Sequence, residues 1–170
     1  MPECYLDTNL VEVLLGCLDA VNHKKGNSSV MATLGQDKFR ENFAVALIDD
    51  DKVEVKALED FIKVDRLCRE GLMFYRHNEK KHYVLKLSPA IELWLLNECS
   101  KGEIDTNLYG LPQNLKGLRS MKGLSQRKDE RFKKLFKDML KNERCDEITE
   151  LKRWLIFLKD KNFNIDLDLL

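Results

Sequence analysis

Three consecutive carboxylates end a short apolar segment in the first third of this 170-residue chain. Residues 44–48 are apolar without polar alternation, a pattern typical of a strand buried on both faces, and Asp49, Asp50 and Asp51 follow directly. Because alternate side chains of an extended segment share a side, Asp49 and Asp51 together offer the oxygen ligands that Mg²⁺ or Mn²⁺ prefers. This spacing predicts a metal site. The alternative is a solvated turn that caps the following helix.

Three further acids are candidates for the same site. Asp7 is predicted to follow a first strand at residues 3–6, so a parallel arrangement would bring it to the same sheet edge as Asp49. Asp7 and Glu12 are the candidates for proton transfer, and Glu92 is a candidate metal ligand. Each has a simpler alternative: Asp7 as a helix cap, Glu12 on an exposed helix face, and Glu92 in a favourable interaction with a helix dipole.

The charge is unevenly distributed, although the formal net charge is zero. Residues 1–65 carry thirteen acidic and seven basic side chains, whereas residues 114–144 carry eleven basic and four acidic ones. Five basic residues of a helix predicted at 126–142 are candidates for contacting nucleic-acid phosphates: Arg127, Lys128, Arg131, Lys134 and Lys137. Because acidic residues interrupt this segment, the alternative is an ordinary solvated helix face.

The elements that must position these residues are predicted from hydrophobic periodicity and cap residues. The predicted strands lie at residues 3–6, 29–34, 44–48, 72–76 and 82–87, the last two as an antiparallel pair. The predicted helices start near Leu10 and lie at about 53–68, 89–99, 126–142 and 147–159. Together these elements predict an α/β fold with a central, largely parallel sheet and flanking helices. Residues 1–100 would form the core, and residues 101–170 a helical C-terminal subdomain packed on it.

A strand, an acidic turn, a helix and a later strand ending in Asp-x-Asp resemble the TOPRIM fold of topoisomerases, primases and OLD-type nucleases. Those proteins bind Mg²⁺ between the Asp-x-Asp and a glutamate, followed by glycine, after the first strand. Asp49 to Asp51 match the Asp-x-Asp directly, while Asp7 stands in place of the glutamate with Glu12 as a displaced substitute. The resemblance covers roughly residues 1–100.

The resemblance implies a Mg²⁺-dependent protein that processes or binds DNA or RNA, as a nuclease or phosphotransfer enzyme if it is catalytic. The alternative is a non-catalytic accessory or regulatory protein that keeps the fold and binds a protein partner. The sequence contains no GxxxxGK[ST], GxSxG or HExxH motif, which disfavours P-loop, serine-hydrolase and zincin chemistry. Five scattered cysteines and the lack of a long apolar run predict a cytoplasmic protein that does not enter a membrane.

Overall fold

The computed structural model of this chain describes residues 1–17, 22–50, 58–121 and 129–170. The α-helices in these ranges are α1 (Tyr5–Leu15), α2 (Asn27–Leu34), α3 (Ile91–Lys101), α4 (Leu115–Met121), α5 (Glu130–Met139) and α6 (Asp146–Lys161). The strands are β1 (Ala44–Asp49), β2 (Phe61–Lys63), β3 (Leu72–His77) and β4 (His82–Leu87). No helix in these ranges is long and apolar enough to cross a membrane.

The four strands form one mixed sheet in the order β1-β4-β3-β2. β1 and β4 are parallel, with Asp49 opposite Leu87, while β4–β3 and β3–β2 are antiparallel. A largely parallel sheet was predicted, and the structure shows this in part: the sheet is mixed, and one of the three strand pairs within the described residues is parallel. The antiparallel β3–β4 pair was predicted, but the strands predicted at residues 3–6 and 29–34, which would have extended the parallel part of the sheet, are absent.

Helices cover both faces of the sheet. On one face Leu47, Phe74 and Leu85 belong to the main hydrophobic core, which also receives buried side chains from α1, α3, α5 and α6. On the other face Ile48 and its neighbours form a smaller core with α2. The α/β class is therefore confirmed. Helices from the second half of the chain share the main core, as when the Trp154 ring of α6 meets Phe74 edge to face at 5.3 Å.

The strand predicted at residues 3–6 is wrong, because α1 already begins at Tyr5. Cys4 is the N-cap, and its backbone amide donates to Asp7 Oδ2 at 3.0 Å in a capping box. Leu6 therefore lies one helical turn before Leu10, in register with the apolar stripe of the helix rather than in a strand. Strand pairing at this terminus is limited to Pro2, which forms one parallel bridge.

Two other element predictions are wrong for similar reasons. Residues 29–34 belong to α2, in which Val30 and Leu34 lie four residues apart on the buried face. The helix predicted at 53–68 is absent from the described part of that range, where β2 and a 3₁₀ turn at Asp65–Leu67 are found instead. The predictions of β1, β3, β4, α3, α5 and α6 are confirmed, with ends shifted by a few residues.

Candidate functional site

Glu3 reaches the carboxyl end of β1 because the first residues of the chain run along the outer edge of that strand. Pro2 pairs with Leu47 in a parallel bridge, and the Leu47 amide donates to the Met1 carbonyl at 3.0 Å. One residue further, Glu3 Oε2 accepts a hydrogen bond from the Asp49 amide at 3.3 Å. The Glu3 residue is only 5% exposed. Two acids from distant parts of the sequence therefore meet at this edge.

Sequence reasoning missed Glu3 because it placed the end of the first strand at residue 6. The signal lay in the periodicity: since Leu6, Leu10 and Leu14 continue one helical stripe, the helix must start before Leu6. With that start, Glu3 and not Asp7 becomes the acid that follows the first extended residues.

Asp49 links β1 to the two helices that begin beside it. Its Oδ1 accepts a hydrogen bond from the Ile91 amide at 3.0 Å, so its carboxylate caps the start of α3. The side chain of Asn27, at the start of α2, both donates to the Asp49 carbonyl at 3.0 Å and accepts from its amide at 3.3 Å. Asp49 is only 2% exposed. These bonds fix the carboxylate at the end of the strand.

Glu92 adjoins this cap, because it follows Ile91 in the first turn of α3 and is buried. Its predicted role as a metal ligand stays a prediction. A carboxylate in the first helical turn also interacts favourably with the helix dipole, by about 0.3–1 kcal/mol.

Asp7 and Glu12 lie on α1 and point into the protein. Asp7 is fully buried, and its bond to the Cys4 amide places it beside the backbone of residues 3–4. It is a member of the capping box and not the cap itself. Glu12 is also buried, which makes the alternative of an exposed helix face wrong, and its Oε2 lies 3.3 Å from Lys133 Nζ of α5.

The other two members of the Asp-Asp-Asp run differ from Asp49. Asp50 is half-buried; it accepts from Ser88 Oγ at 3.0 Å and forms an ion pair with Lys86 Nζ at 2.5 Å. Asp51, a predicted metal ligand, lies outside the described residues. Within residues 1–17, 22–50, 58–121 and 129–170, no three His, Cys, Asp or Glu side chains are grouped as a metal site would require.

The described part of the basic segment forms an exposed row on α5. Arg131, Lys134 and Lys137 are three residues apart and all exposed, while Lys133 points inward. Arg131 binds the Asp129 carboxylate through two nitrogens, at 3.1 and 2.8 Å, and this bidentate contact lowers the pKa of Asp129. Arg127 and Lys128, which were predicted to contact phosphates, lie outside the described residues.

The row is connected to the acidic edge through α1. Asn9 Oδ1 accepts from the Asp129 amide at 3.3 Å, immediately before α5 begins, and one turn further the Glu12–Lys133 ion pair joins the same two helices. Because charged and polar side chains are seldom buried without such partners, these contacts fix α5 against α1 in one arrangement. The acids and the exposed basic row therefore belong to one connected unit.

Comparisons of the chain with protein family models, with curated proteins and with solved structures find no match. The functional argument therefore depends on the geometry of these residues.

Proposed function

We propose that this protein binds a divalent cation, Mg²⁺ or Mn²⁺, at the carboxyl end of β1 and there processes or binds nucleic-acid phosphates. The observation that carries the proposal is that the buried Glu3 carboxylate accepts a hydrogen bond from the backbone amide of Asp49, whose own buried carboxylate accepts from the Ile91 amide at the same strand end. Ligands of open α/β sheets bind beyond the carboxyl ends of parallel strands, and β1 is a member of the parallel pair.

The chemistry of the donor set fits Mg²⁺. This ion uses one or two protein carboxylates and keeps several waters, so it does not need a cage of three or more side chains. Glu3 and Asp49 each place one carboxylate oxygen in a bond to a backbone amide, which orients the group. Of the two further ligands predicted from the sequence, Asp51 lies outside the described residues, and Glu92 does not complete a metal-binding group of three with Glu3 and Asp49.

When bound, the cation would supply a Lewis acid that polarises a phosphate oxygen. The residues of the chain would do the rest: Glu3 and Asp49 hold the ion, and Asp7, buried beside Glu3, holds or transfers a proton. Glu12 is a weaker candidate for that role than Asp7, because Lys133 neutralises it.

The position of Glu3 also supports the resemblance to TOPRIM domains. It follows the first extended residues and precedes a helix, as the glutamate of that family does, and Cys4 stands where glycine would be expected.

The proposed phosphate contacts are made by α5. Arg131, Lys134 and Lys137 face solvent on a helix joined to α1, which carries Asp7 and Glu12. Nucleic acid bound along this row would have its backbone held by positive charge. Arg127 and Lys128, which lie outside the described residues, remain proposed phosphate contacts.

Thermal unfolding with and without metal tests the cation site. Mn²⁺ and Mg²⁺ should raise the Tm of the wild type, because a ligand that binds the folded state alone stabilises it. Glu3→Gln and Asp49→Asn should abolish the increase, although each amide keeps an oxygen that accepts the backbone hydrogen bond. The matched controls Glu143→Gln and Asp160→Asn change exposed acids and should respond like the wild type. Equal metal responses in all five proteins would refute the site.

A second candidate function is that of a non-catalytic accessory protein with the same fold. It is favoured by the structural use of the acids, since Asp49 caps α3 and Asp50 is paired with Lys86. Incubation with single- and double-stranded DNA and RNA in Mn²⁺ separates the two functions. Cleavage by the wild type that is lost in Glu3→Gln establishes the enzyme, and binding without cleavage establishes the accessory role. If neither occurs, a protein partner becomes the leading alternative.

A further inference from the structure

A separate cavity lies at the opposite end of β1 from the acids. It has a volume of about 350 Å³ and opens between α1, α6 and the amino end of the strand. β1 lines the cavity with Ala44, Val45 and Leu47, and Asp49 lies two residues, about 7 Å, beyond Leu47 along the strand. Ligand pockets in proteins have volumes of about 300–1,000 Å³, so the cavity is large enough for a small molecule.

The walls of the cavity are mainly apolar. Val11 and Leu15 come from α1, Leu155 comes from α6, and two aromatic side chains, Phe39 and Phe43, lie before β1. Both aromatic residues and Leu15 are partly exposed, so apolar surface faces the space instead of closing it. Water in contact with such walls is displaced favourably by an aliphatic chain.

The charged side chain in the described lining of the cavity is a cation. Among its described lining residues Lys159 is the one charged side chain, and Asn22 and Asn162 are the polar ones. Lys159 is exposed, so it lies where the cavity meets solvent. No carboxylate from the described ranges lines the cavity. An anionic group would therefore find a cation and amide donors at the mouth.

The end of α6 contributes further apolar surface to this mouth. Asn162 ends the helix with a positive φ of 50°, a conformation that asparagine tolerates better than most residues. The next residue, Phe163, is 47% exposed and meets Phe43 edge to face at 6.3 Å. The Phe163 ring thus adds exposed apolar surface beside Phe43.

We infer that this cavity binds a linear aliphatic carboxylate, with the chain among Val11, Leu15, Phe39, Phe43 and Leu155 and the head group at Lys159. The apolar walls specify the chain, and Lys159, the charged side chain of the described lining, specifies the sign of the head group. The inference is independent of the proposed function, because none of the acids at the carboxyl end of β1 lines this cavity.

The chain-length dependence of binding gives the sharpest expectation. Each methylene transferred from water to the cavity should lower Kd about fourfold, until the chain fills the available space and the gain ends. The aliphatic alcohol of equal length should bind more weakly than the carboxylate, because it has no negative charge that can form an ion pair with Lys159.

Isothermal titration with straight-chain carboxylates from hexanoate to tetradecanoate, each below its micelle concentration, tests the inference. The full-length wild type should bind one molecule, with a chain-length optimum. Lys159→Glu should weaken binding at least tenfold, whereas Lys161→Glu, an exposed change on the same helix outside the cavity, should not. Val45→Phe places a larger side chain in the cavity wall, so the chain length that binds most tightly should become shorter.

Three results would overturn the inference: no saturable binding by the wild type, equal binding of carboxylate and alcohol, or equal losses in Lys159→Glu and Lys161→Glu. Binding by Glu3→Gln and Asp49→Asn should equal that of the wild type. A loss in these two variants would place the ligand at the acidic edge and not in the cavity, which would also overturn the inference.

Discussion

Buried carboxylates in this protein differ in how many of their oxygens accept hydrogen bonds. Glu147 uses both: Oε1 accepts from the Gly71 amide at 2.9 Å, and Oε2 accepts from Trp94 Nε1 at 2.8 Å. Glu98 caps α6 with Oε2 alone, which accepts from the amides of Glu147 and Ile148, while its Oε1 lies 3.0 Å from Lys101 Nζ. An amide has one acceptor oxygen. Glutamine can therefore replace Glu98, which accepts from backbone amides through one oxygen, better than Glu147, which uses both.

Glu147→Gln should therefore lower the free energy of unfolding by about 1–3 kcal/mol, because one buried donor loses its acceptor. Glu98→Gln should cost less, since its oxygen can still cap α6 and burial already raises the pKa of Glu98, which shows that its charge is disfavoured there. Urea unfolding of both variants measures the difference. A greater loss in Glu98→Gln would contradict this explanation.

His77 is a pH-sensitive residue of the β3–β4 turn. Its Nδ1 accepts hydrogen bonds from the amides of Glu79 and Lys80, at 3.0 and 3.1 Å, and a protonated ring could not accept them. Burial lowers the pKa of His77, and the nearby Lys80 and His82 lower it further. The unfolded chain therefore binds this proton more readily than the folded protein does.

The contribution of His77 to stability should be complete above pH about 7.5 and should decline as the pH falls through about 6.5, the ordinary histidine value. His77→Asn keeps an acceptor oxygen but does not titrate in this range, so its Tm should fall less between pH 7.5 and pH 5.5 than that of the wild type. If the Tm of His77→Asn and the Tm of the wild type fell equally over this range, the stability of the turn would not depend on the neutral His77 ring.

At the scale of the elements, the sequence predicted best those segments whose length or periodicity permits one interpretation. The apolar run of β1 and the stripe of α6 are such segments. Residues 3–6 and 29–34 are short apolar runs that fit a strand or a helix equally well, and neighbouring residues decide between them. Cys4 decides the first, through a capping box that cysteine seldom forms. Glu3 was missed as a direct consequence.

Gly71, immediately before β3, lies close to one side chain of α3 and one of α6. A Cβ added there would lie 2.3 Å from Glu147 Oε2 and 2.6 Å from Trp94 Cδ1, and both groups are buried. Gly71→Ala should therefore lower the free energy of unfolding by about 1–3 kcal/mol, as overpacking in a core does.

Gly35→Ala is the matched control for that change. Gly35 ends α2 with a φ of −73°, and the nearest atom to its added Cβ is 3.6 Å away. Alanine should be neutral there, or stabilising by about 0.4–1 kcal/mol through the unfolded chain. Denaturant unfolding of both variants tests the packing, and equal losses would contradict it.

At the scale of the whole molecule, β1 separates two chemically different ends. Buried acids lie at its carboxyl end and an apolar cavity with Lys159 lies at its amino end. The sequence predicted that acids would meet at the sheet edge, because the end of a buried strand can be recognised locally. It did not predict the cavity, whose walls come from residues more than a hundred positions apart, such as Val11 and Leu155.

The exposed row on α5 makes a prediction about salt. If Lys134 and Lys137 bind phosphates, Lys134→Glu/Lys137→Glu should weaken duplex DNA binding and reduce the slope of log K against log salt by about 0.9 for each phosphate that is no longer neutralised. Lys161→Glu, an exposed change on α6, should leave the slope unchanged. Equal slopes in all three proteins would show that α5 does not carry the nucleic-acid surface.

The most direct test of the central claim is a titration of the protein with Mn²⁺, followed by the electron paramagnetic resonance signal of the unbound ion. The wild type should bind one ion, which excess Mg²⁺ should displace. Glu3→Gln and Asp49→Asn should each weaken binding by at least about tenfold, since changes in groups that merely support a metal ligand already cost that much. The exposed-acid controls Glu143→Gln and Asp160→Asn should bind like the wild type. No bound ion, or equal affinities in all five proteins, would contradict a cation site at the carboxyl end of β1.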